Sequence, residues 1–382
     1  MAKNVKILIY IAVFLAAFGF SFFPAGIAAA WDGMPGPRPL IAAHRSGASV
    51  APENTLLAFK TCVEATLNRE YKVDIFEFDL RLTKDNELIL LHDDTLNRTT
   101  DIEEVYGDAK KKYYPKDYTY AELSMLNAAV DYFDCGCSPY FKLKGEDIPQ
   151  DIKIPRFSDV LNYLFSVKQA EKLDFSFIIE IKDEGERGKL ATDLMHDALL
   201  KFGFLDNAIV GTFHQEISDY YDTKPGLMRS AGQRECAEFL GWFLTGKDLS
   251  NEDIPYVAFQ LPKRLGIEVP VFGSKKFIDY AHKYGLLVQF WTVNDEKDIS
   301  ELAFYGADAI ITDRPDLAWD VVNGTVKEYF DFTNYGLLLA TAVLIAGAAV
   351  VASEGARRGR ANRAKKIMDA LTAESGDKTA EN

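Results

Sequence analysis

A chain of 382 residues, 48% of them hydrophobic, can bury one large core or two smaller ones without disulfide or metal staples. Its formal net charge of −14 excludes general nucleic-acid binding, which needs a basic footprint, and no zinc-finger or RNA-binding signature appears. Basic residues cluster at the two ends of the chain instead, beside apolar runs, which points toward a membrane.

At the N-terminus, Lys3 and Lys6 precede an apolar run over 7–23, then Pro24 and Ala28-Ala29-Ala30. The pattern serves a cleaved signal peptide or an uncleaved anchor, so 1–30 is expected to be one of the two. Strands are predicted at 40–43, 73–82 and 87–91, the last two separated by a turn at Lys84-Asp85-Asn86, with a helix at 55–67. Residues 102–151 break this rhythm. They carry Tyr106, Tyr113, Tyr114, Tyr118 and further aromatics, plus Cys135-Gly136-Cys137, and read as a loop insertion at the functional face. These aromatics form either the insertion's own small core or a cap over a greasy or cationic part of a substrate.

A helix follows at 158–167, with Ser158 as its N-cap. Strands then fall at 175–181, 208–212, 226–229, 256–261, 286–293 and 307–312, with helices at 189–202, 275–284 and 296–305. Residues 335–353 are uncharged and open on Tyr335; Arg357, Arg358, Arg360, Arg363, Lys365 and Lys366 follow with no acid among them. A transmembrane helix with a cytoplasmic tail, 354–382, is expected. With both ends inside, the domain at 31–333 is expected to be extracytoplasmic: periplasmic, lumenal or at a cell surface. The spacing of Cys62, Cys135, Cys137 and Cys236 fits no zinc knuckle; structural disulfides or buried free thiols are expected.

Alternating βα units of this number and length argue for a TIM-type (β/α)8 barrel with a loop insertion, flanked by the two hydrophobic membrane segments. Nine strand candidates stand for eight barrel positions. The turn at 84–86 fits a hairpin better than a βα unit, but the sequence leaves open which strand is extra. The rival doubly wound sheet usually carries a glycine-rich phosphate loop, and none is visible.

Strand periodicity gives the charged clusters their meaning. In Glu77-Phe78-Asp79 both acids point to one side of a strand and Phe78 to the other; Glu180-Ile181-Lys182 repeats this with an acid and a cation. Charges pointing into a barrel are tolerable only near the open end of the strand, where such barrels build their sites. His44 and Arg45 end one strand candidate and His92 another. Hard carboxylate oxygens from Glu77, Asp79 and Glu180 suit Ca²⁺ or Mg²⁺, Arg45 and Lys182 suit a phosphate, and two histidines suit acid–base work. That is the inventory of a metal-assisted phosphodiesterase. Glu53 and Asn54 either orient His44 or the metal ligands, or cap the helix near Thr55. Trp291 either contacts the substrate or simply packs the barrel. His196 and His282 are expected on helix surfaces, and His214 near the site. Asn97-Arg98-Thr99 and Asn323-Gly324-Thr325 match glycosylation acceptors, a pattern common by chance.

The ordered set His44-Arg45-Ser46-Gly47, Pro52-Glu53-Asn54-Thr55, Glu77-Phe78-Asp79-Leu80, Leu91-His92-Asp93 with Asn97-Arg98-Thr99-Thr100, Glu180-Ile181-Lys182, Trp291-Thr292-Val293-Asn294 and Gly306 to Pro315 resembles the glycerophosphodiester phosphodiesterase family over about residues 40–320. The resemblance implies a TIM-type barrel that hydrolyses glycerophosphodiesters to glycerol 3-phosphate and an alcohol. It implies Glu77, Asp79 and Glu180 as metal ligands, His44 and His92 as the acid–base pair, and Arg45 and Lys182 as phosphate contacts. The family's usual His-Arg-Gly is here His-Arg-Ser-Gly, an apparent one-residue shift in the loop.

The expected function is thus a membrane-held, metal-dependent phosphodiesterase of lipid metabolism acting on glycerophosphodiesters or lysophospholipids, with His44 favoured as acid and His92 as base. Two alternatives stand beside it: a lysophospholipase D or cyclising lipid phosphodiesterase on the same barrel, and a catalytically inactive membrane-anchored lipid-binding module.

Overall fold

The computed structural model describes residues 38–108, 111–132, 140, 142–265, 267–268 and 271–324. Eight βα units run in chain order: β1 (Leu40–Ala43) and α1 (Leu56–Asn68), β2 (Ile75–Leu82) and α2 (Phe157–Glu171), β3 (Ser176–Ile181) and α3 (Gly185–Phe202), β4 (Ala208–Gly211) and α4 (Gln215–Tyr221). They continue with β5 (Met228–Arg229) and α5 (Gln233–Thr245), β6 (Ala258–Pro262) and α6 (Lys275–Lys283), β7 (Leu287–Trp291) and α7 (Glu296–Tyr305), β8 (Ala309–Thr312) and α8 (Pro315–Asn323). The strands pair in the order β5-β4-β3-β2-β1-β8-β7-β6, and a parallel bridge from Ser230 to Ala258 joins the two ends. The expected eight-stranded barrel is what forms.

The surplus strand is Leu88–Leu90, which turns back antiparallel on β2, Leu80 opposite Leu90 and Leu82 opposite Leu88. The turn between them closes through the Thr83 amide on the Glu87 carbonyl and places Asn86 at φ 62°. Asparagine tolerates that left-handed conformation better than most residues, so the hairpin is encoded locally.

Strand parity sorts the side chains. Phe76, Phe78, Leu80, Phe177, Ile179 and Ile181 point outward and are buried beneath α1, α2 and α3. Ile41, Phe259, Leu261, Val288, Phe290 and Ile310 do the same beneath α5 to α8. The barrel interior is a small apolar floor of Ala42, Ile75, Ile178, Ala309 and Ile311, with Trp291 packed against it. The insertion after the hairpin has a core of its own, in which Leu96, Ile102, Tyr113, Tyr118, Leu123 and Leu126 pack on Ile89 and Leu91. Of the two readings of its aromatics, Tyr113 and Tyr118 follow the first.

Two expectations need correction, those for Ser158 and His196, and the others are settled or lie outside the described residues as follows. Ser158 is not the cap of α2: the capping position is Arg156, whose guanidinium bonds Asp159 instead of a backbone amide. His196 is buried on the inner face of α3, its Nε2 3.0 Å from the Pro225 carbonyl. Cys62 is a buried free thiol and Cys236 a half-buried one, while Cys135 and Cys137 lie outside the described residues. Both nitrogen–hydrogens of the Asn97 amide are in use, on Glu103 and on the Lys111 carbonyl, which leaves its nitrogen unsuited to carry a glycan. The expected membrane segments, 1–30 and 335–353, and the tail 354–382 also lie outside the described residues, among which no helix is long and apolar enough to cross a membrane.

The loop leaving β1 is the most constrained backbone around the barrel mouth. Arg45, Ser46 and Gly47 are all left-handed, at φ 48°, 66° and 104°. Gly47 is required: a Cβ there would stand 2.9 Å from both Cys62 Sγ and Val50 Cγ2. Ser46 occupies a glycine-like conformation with its side chain fully buried and its hydroxyl without a hydrogen-bond partner. Ser46→Gly removes both the strained Cβ and the orphaned hydroxyl and is expected to raise the unfolding free energy by about 1–2 kcal/mol, read by chemical denaturation. Equal or lower stability would show that the loop is relaxed with serine in place.

Candidate active site

The acids occupy the inward positions of β2 and β3 above the apolar floor. Ala43 is in register with Phe76, so Glu77 stands one step beyond the end of β1, at the level of the His44 turn. Asp79 is directly opposite Glu180. All three acids therefore face the C-terminal mouth, as parity requires.

Each acid has a defined partner. Glu77 Oε2 accepts the Arg45 backbone amide at 2.6 Å, a bond that the left-handed turn at Arg45 makes possible. Asp79 accepts Asn54 Nδ2 at 2.9 Å and pairs with Lys182 Nζ at 3.1 Å. The same ammonium lies 2.8 Å from Glu180. Burial pushes Glu77 up to about 7, the neighbouring Asp79 charge adding to it. Burial acts the same way on Asp79, but Lys182, His92 and the Asn54 amide outweigh it and hold that carboxyl at about 2. Glu180 is raised, mainly by burial, against the pull of Lys182. Unequal protonation is how a low-dielectric mouth accommodates three crowded carboxyls.

The two histidines share one feature, an Nδ1 turned onto a carboxylate. His44 Nδ1 lies 2.6 Å from Asp313 Oδ1, and its Nε2 lies 4.0 Å from Glu77. Burial lowers the His44 pKa, but Glu77 and Asp313 together raise it above the ordinary histidine value. Asp313 is held in place by Asn294 Nδ2 at 2.6 Å. His92, at the end of the hairpin, has Nδ1 2.8 Å from Asp93 Oδ1, while its carbonyl accepts the Arg81 guanidinium.

Glu53 does not cap α1; Thr55 does, accepting the Ala58 amide. Glu53 instead binds Arg45 Nη1 at 3.1 and 3.2 Å and Arg98. Asn54, at φ 54°, turns its amide onto Asp79, and its own Oδ1 is buried without a partner. Trp291 donates Nε1 to the Gln260 carbonyl and meets Phe213 edge-on at 5.9 Å; Phe213 is half exposed at the mouth. His214 precedes α4, its Nε2 3.3 Å from the Lys182 carbonyl, beside the site as expected. His282 sits on the surface of α6, paired with Asp308.

Three residues that the motifs contain were given no role from the sequence: Asp313, Asp93 and Arg98. Asp313 follows β8, which neighbours β1 once the barrel closes, so an acid after the last strand beside a histidine after the first was the available signal. Among the described residues no three His, Cys, Asp or Glu side chains form a ready-made metal cage, and Lys182 stands between Asp79 and Glu180. In kind, the donor set fits a hard divalent cation. Its donors are carboxylate oxygens from adjacent strands, an orphaned amide oxygen beside them, and a Glu77 carboxyl raised by burial and by the Asp79 charge, which a nearby cation would offset.

A model of the glycerophosphoryl diester phosphodiesterase family matches residues 44–317. The uncharacterised Bacillus subtilis protein YqiK is 30% identical over 279 residues, spanning 73% of this chain and 96% of its own length. A glycerophosphodiester phosphodiesterase of Bacillus altitudinis is 26% identical over 279 residues, with 73% of this chain and 96% of that protein covered. Among solved structures, a glycerophosphoryl diester phosphodiesterase domain from Mycobacterium tuberculosis superposes with TM-score 0.58 at 18% identity, covering 74% of this chain and 98% of that one. An Oleispira antarctica phosphodiesterase in complex with sn-glycerol-3-phosphate gives TM-score 0.53 at 18% identity, covering 75% and 98%. The structural likenesses bear on the fold, whereas the family match spans the strand-end clusters from His44 to Asp313, and on that ground the chain belongs to the glycerophosphoryl diester phosphodiesterase family.

Proposed function

We propose that this chain is a metal-dependent hydrolase of glycerophosphodiesters, releasing glycerol 3-phosphate and an alcohol, with His44 and His92 as its acid–base pair. The observation that carries the reading is the convergence on one barrel mouth of two carboxylate-oriented histidines, three inward acids and the cations Arg45 and Lys182. A divalent ion, Ca²⁺ or Mg²⁺, held by Glu77, Asp79 and Glu180 would polarise the phosphate and offset charge developing on its oxygens.

The residues divide the remaining work. Arg45 and Lys182 bind the phosphate oxygens and orient the phosphorus. A ring whose Nδ1 donates to a carboxylate keeps its lone pair on Nε2, so His92, held by Asp93, is set to take a proton from the attacking hydroxyl. His44, whose pKa Glu77 and Asp313 raise, is set to be protonated and to give its proton to the leaving alkoxide as the P–O bond breaks. With water as nucleophile the product is glycerol 3-phosphate directly; with the adjacent glycerol hydroxyl it is a cyclic phosphate that water must then open.

The same reading places the enzyme in lipid metabolism, outside the cytoplasm and held to a membrane. The apolar runs at 7–23 and 336–352 and the basic flank from Arg357 to Lys366 support that placement. The exposed Phe213 beside Trp291 supports an apolar contact for the alcohol portion, so glycerophosphocholine and lysophosphatidylcholine are the substrates to compare.

In the full-length chain, EDTA is expected to abolish glycerol 3-phosphate release from glycerophosphocholine, and Ca²⁺ or Mg²⁺ to restore it. His92→Ala and Glu77→Ala are each expected to lower kcat by about 10²–10⁴-fold. Unaltered turnover in His92→Ala would sink the mechanism, and persistent cyclic phosphate would favour the cyclising alternative. Independently of turnover, the same ions should raise the melting temperature of the parent protein and not of Glu180→Gln, since a ligand of the native state alone stabilises it. Phe213→Ala should raise KM for lysophosphatidylcholine more than for glycerophosphocholine; an equal change would remove Phe213 from the apolar contact.

A further inference from the structure

The chemistry above makes no use of Arg98, yet its guanidinium is saturated. Nε and Nη2 grip the two oxygens of Asp93 at 2.7 and 2.9 Å. Nη2 and Nη1 grip the two oxygens of Glu53 at 2.6 and 2.9 Å, and Nη1 also reaches Asp131 in the insertion at 3.1 Å. A guanidinium has five N–H donors, and here each has a carboxylate oxygen. Asp93 in turn holds His92 Nδ1, and Glu53 holds the side chain of Arg45. His92 and Arg45 are thus the two ends of one ion-pair chain, with Arg98 at its centre.

We propose that Arg98 is a positioning residue for this reaction: by gripping Asp93 and Glu53 together, it fixes the tautomer of His92 and the aim of Arg45 relative to one another. This rests on the function proposed above. The geometry requires arginine. A planar fork holds two carboxylates on two edges at a fixed angle, whereas a lysine ammonium is a point charge that orients neither. Without the fork, Glu53, Asp93 and Asp131 are three acids in mutual repulsion. An Asp93 that has rotated away lets His92 carry its proton on Nε2, where no lone pair remains to accept one.

The test uses the full-length chain and glycerol 3-phosphate release from glycerophosphocholine. It compares the parent with Arg98→Met, Arg98→Lys, Asp93→Asn, the Asp93→Asn/Arg98→Met double variant and His92→Ala. Arg98→Met is expected to lower kcat by about 10–100-fold, the usual scale for losing a group that orients a functional side chain. Arg98→Lys should resemble Arg98→Met more than the parent, and the double variant should lose no more than its worse single variant. Nitrogen-15 spectra of the histidine rings, with His92 identified by its loss in His92→Ala, should show an Nδ1–H ring in the parent and a tautomer mixture in Arg98→Met. A merely structural role would lower the melting temperature and leave the ring spectrum and the kcat of folded protein unchanged; that result overturns the proposal, as do additive losses. Should Arg98→Met fail to fold, the charge-conserving Arg98→Lys carries the same kinetic and spectral comparison. Loss of turnover in His92→Ala with parental turnover in Arg98→Met defeats this inference alone, whereas retained turnover in His92→Ala defeats the underlying function as well.

Discussion

Two buried carboxyls, Glu77 and Asp79, with the half-buried Glu180 beside them in one low-dielectric barrel mouth, are the constraint on which the rest of this structure depends. Burying charge costs several kcal/mol per ion unless opposite charge and hydrogen bonds offset it. The fold supplies the offset from different directions. Lys182 comes from the end of β3, the Arg45 amide from a left-handed turn after β1, and the Asn54 amide from the loop before α1. The strained backbone at Arg45 and Ser46 follows from the same demand, because only a left-handed turn there presents the Arg45 amide to Glu77. What strain remains is small beside the cost of an unpaired buried carboxylate.

The same electrostatics separates the roles of the titratable groups. Glu77 is pushed up and Asp79 pulled down although both project from one strand, because Lys182 bonds Asp79 and not Glu77. Burial lowers the His44 pKa, but the negative charges of Glu77 and Asp313 outweigh it and leave it raised. Each histidine spends Nδ1 on an acid that arrives by a different route: Asp313 through closure of β8 onto β1, and Asp93 by chain adjacency to His92. Two rings with unlike surroundings suit the opposite protonation states that the proposed acid–base roles require.

Much of this was legible in the sequence because period two is a strong signal. The alternation Glu77-Phe78-Asp79 placed the acids inward and the phenylalanine outward without any knowledge of neighbours, and the parallel strands fell within a few residues of their predicted limits. Long-range pairing was not legible. Asp313 is far from His44 in sequence, and no local pattern of Arg98 reveals that it collects three acids. His196 was misplaced for a different reason: its polarity suggested solvent, yet it shares the buried face of α3 with Thr192 and Leu199, as helical spacing allows. Ser158 is a cap by residue type alone: the helix begins one residue earlier, at Phe157, where no side chain caps it and Arg156 pairs with Asp159.

The aromatic-rich insertion gains its meaning from where its core is anchored. Tyr113 and Tyr118 do not reach for a ligand; they pack with Leu96, Leu123 and Leu126 against Ile89 and Leu91, the residues of the hairpin that lead directly into His92. A three-residue strand on the edge of β2 is too short to hold its own register firmly. Arg81 clamps the His92 carbonyl from β2, and the insertion core covers the other side of the hairpin, so His92 is fixed from both directions. Seen this way, the departure from a regular βα unit after β2 is not decoration on the barrel. A histidine at the end of an isolated hairpin would be mobile, and a small independent core is a physical means of making it rigid.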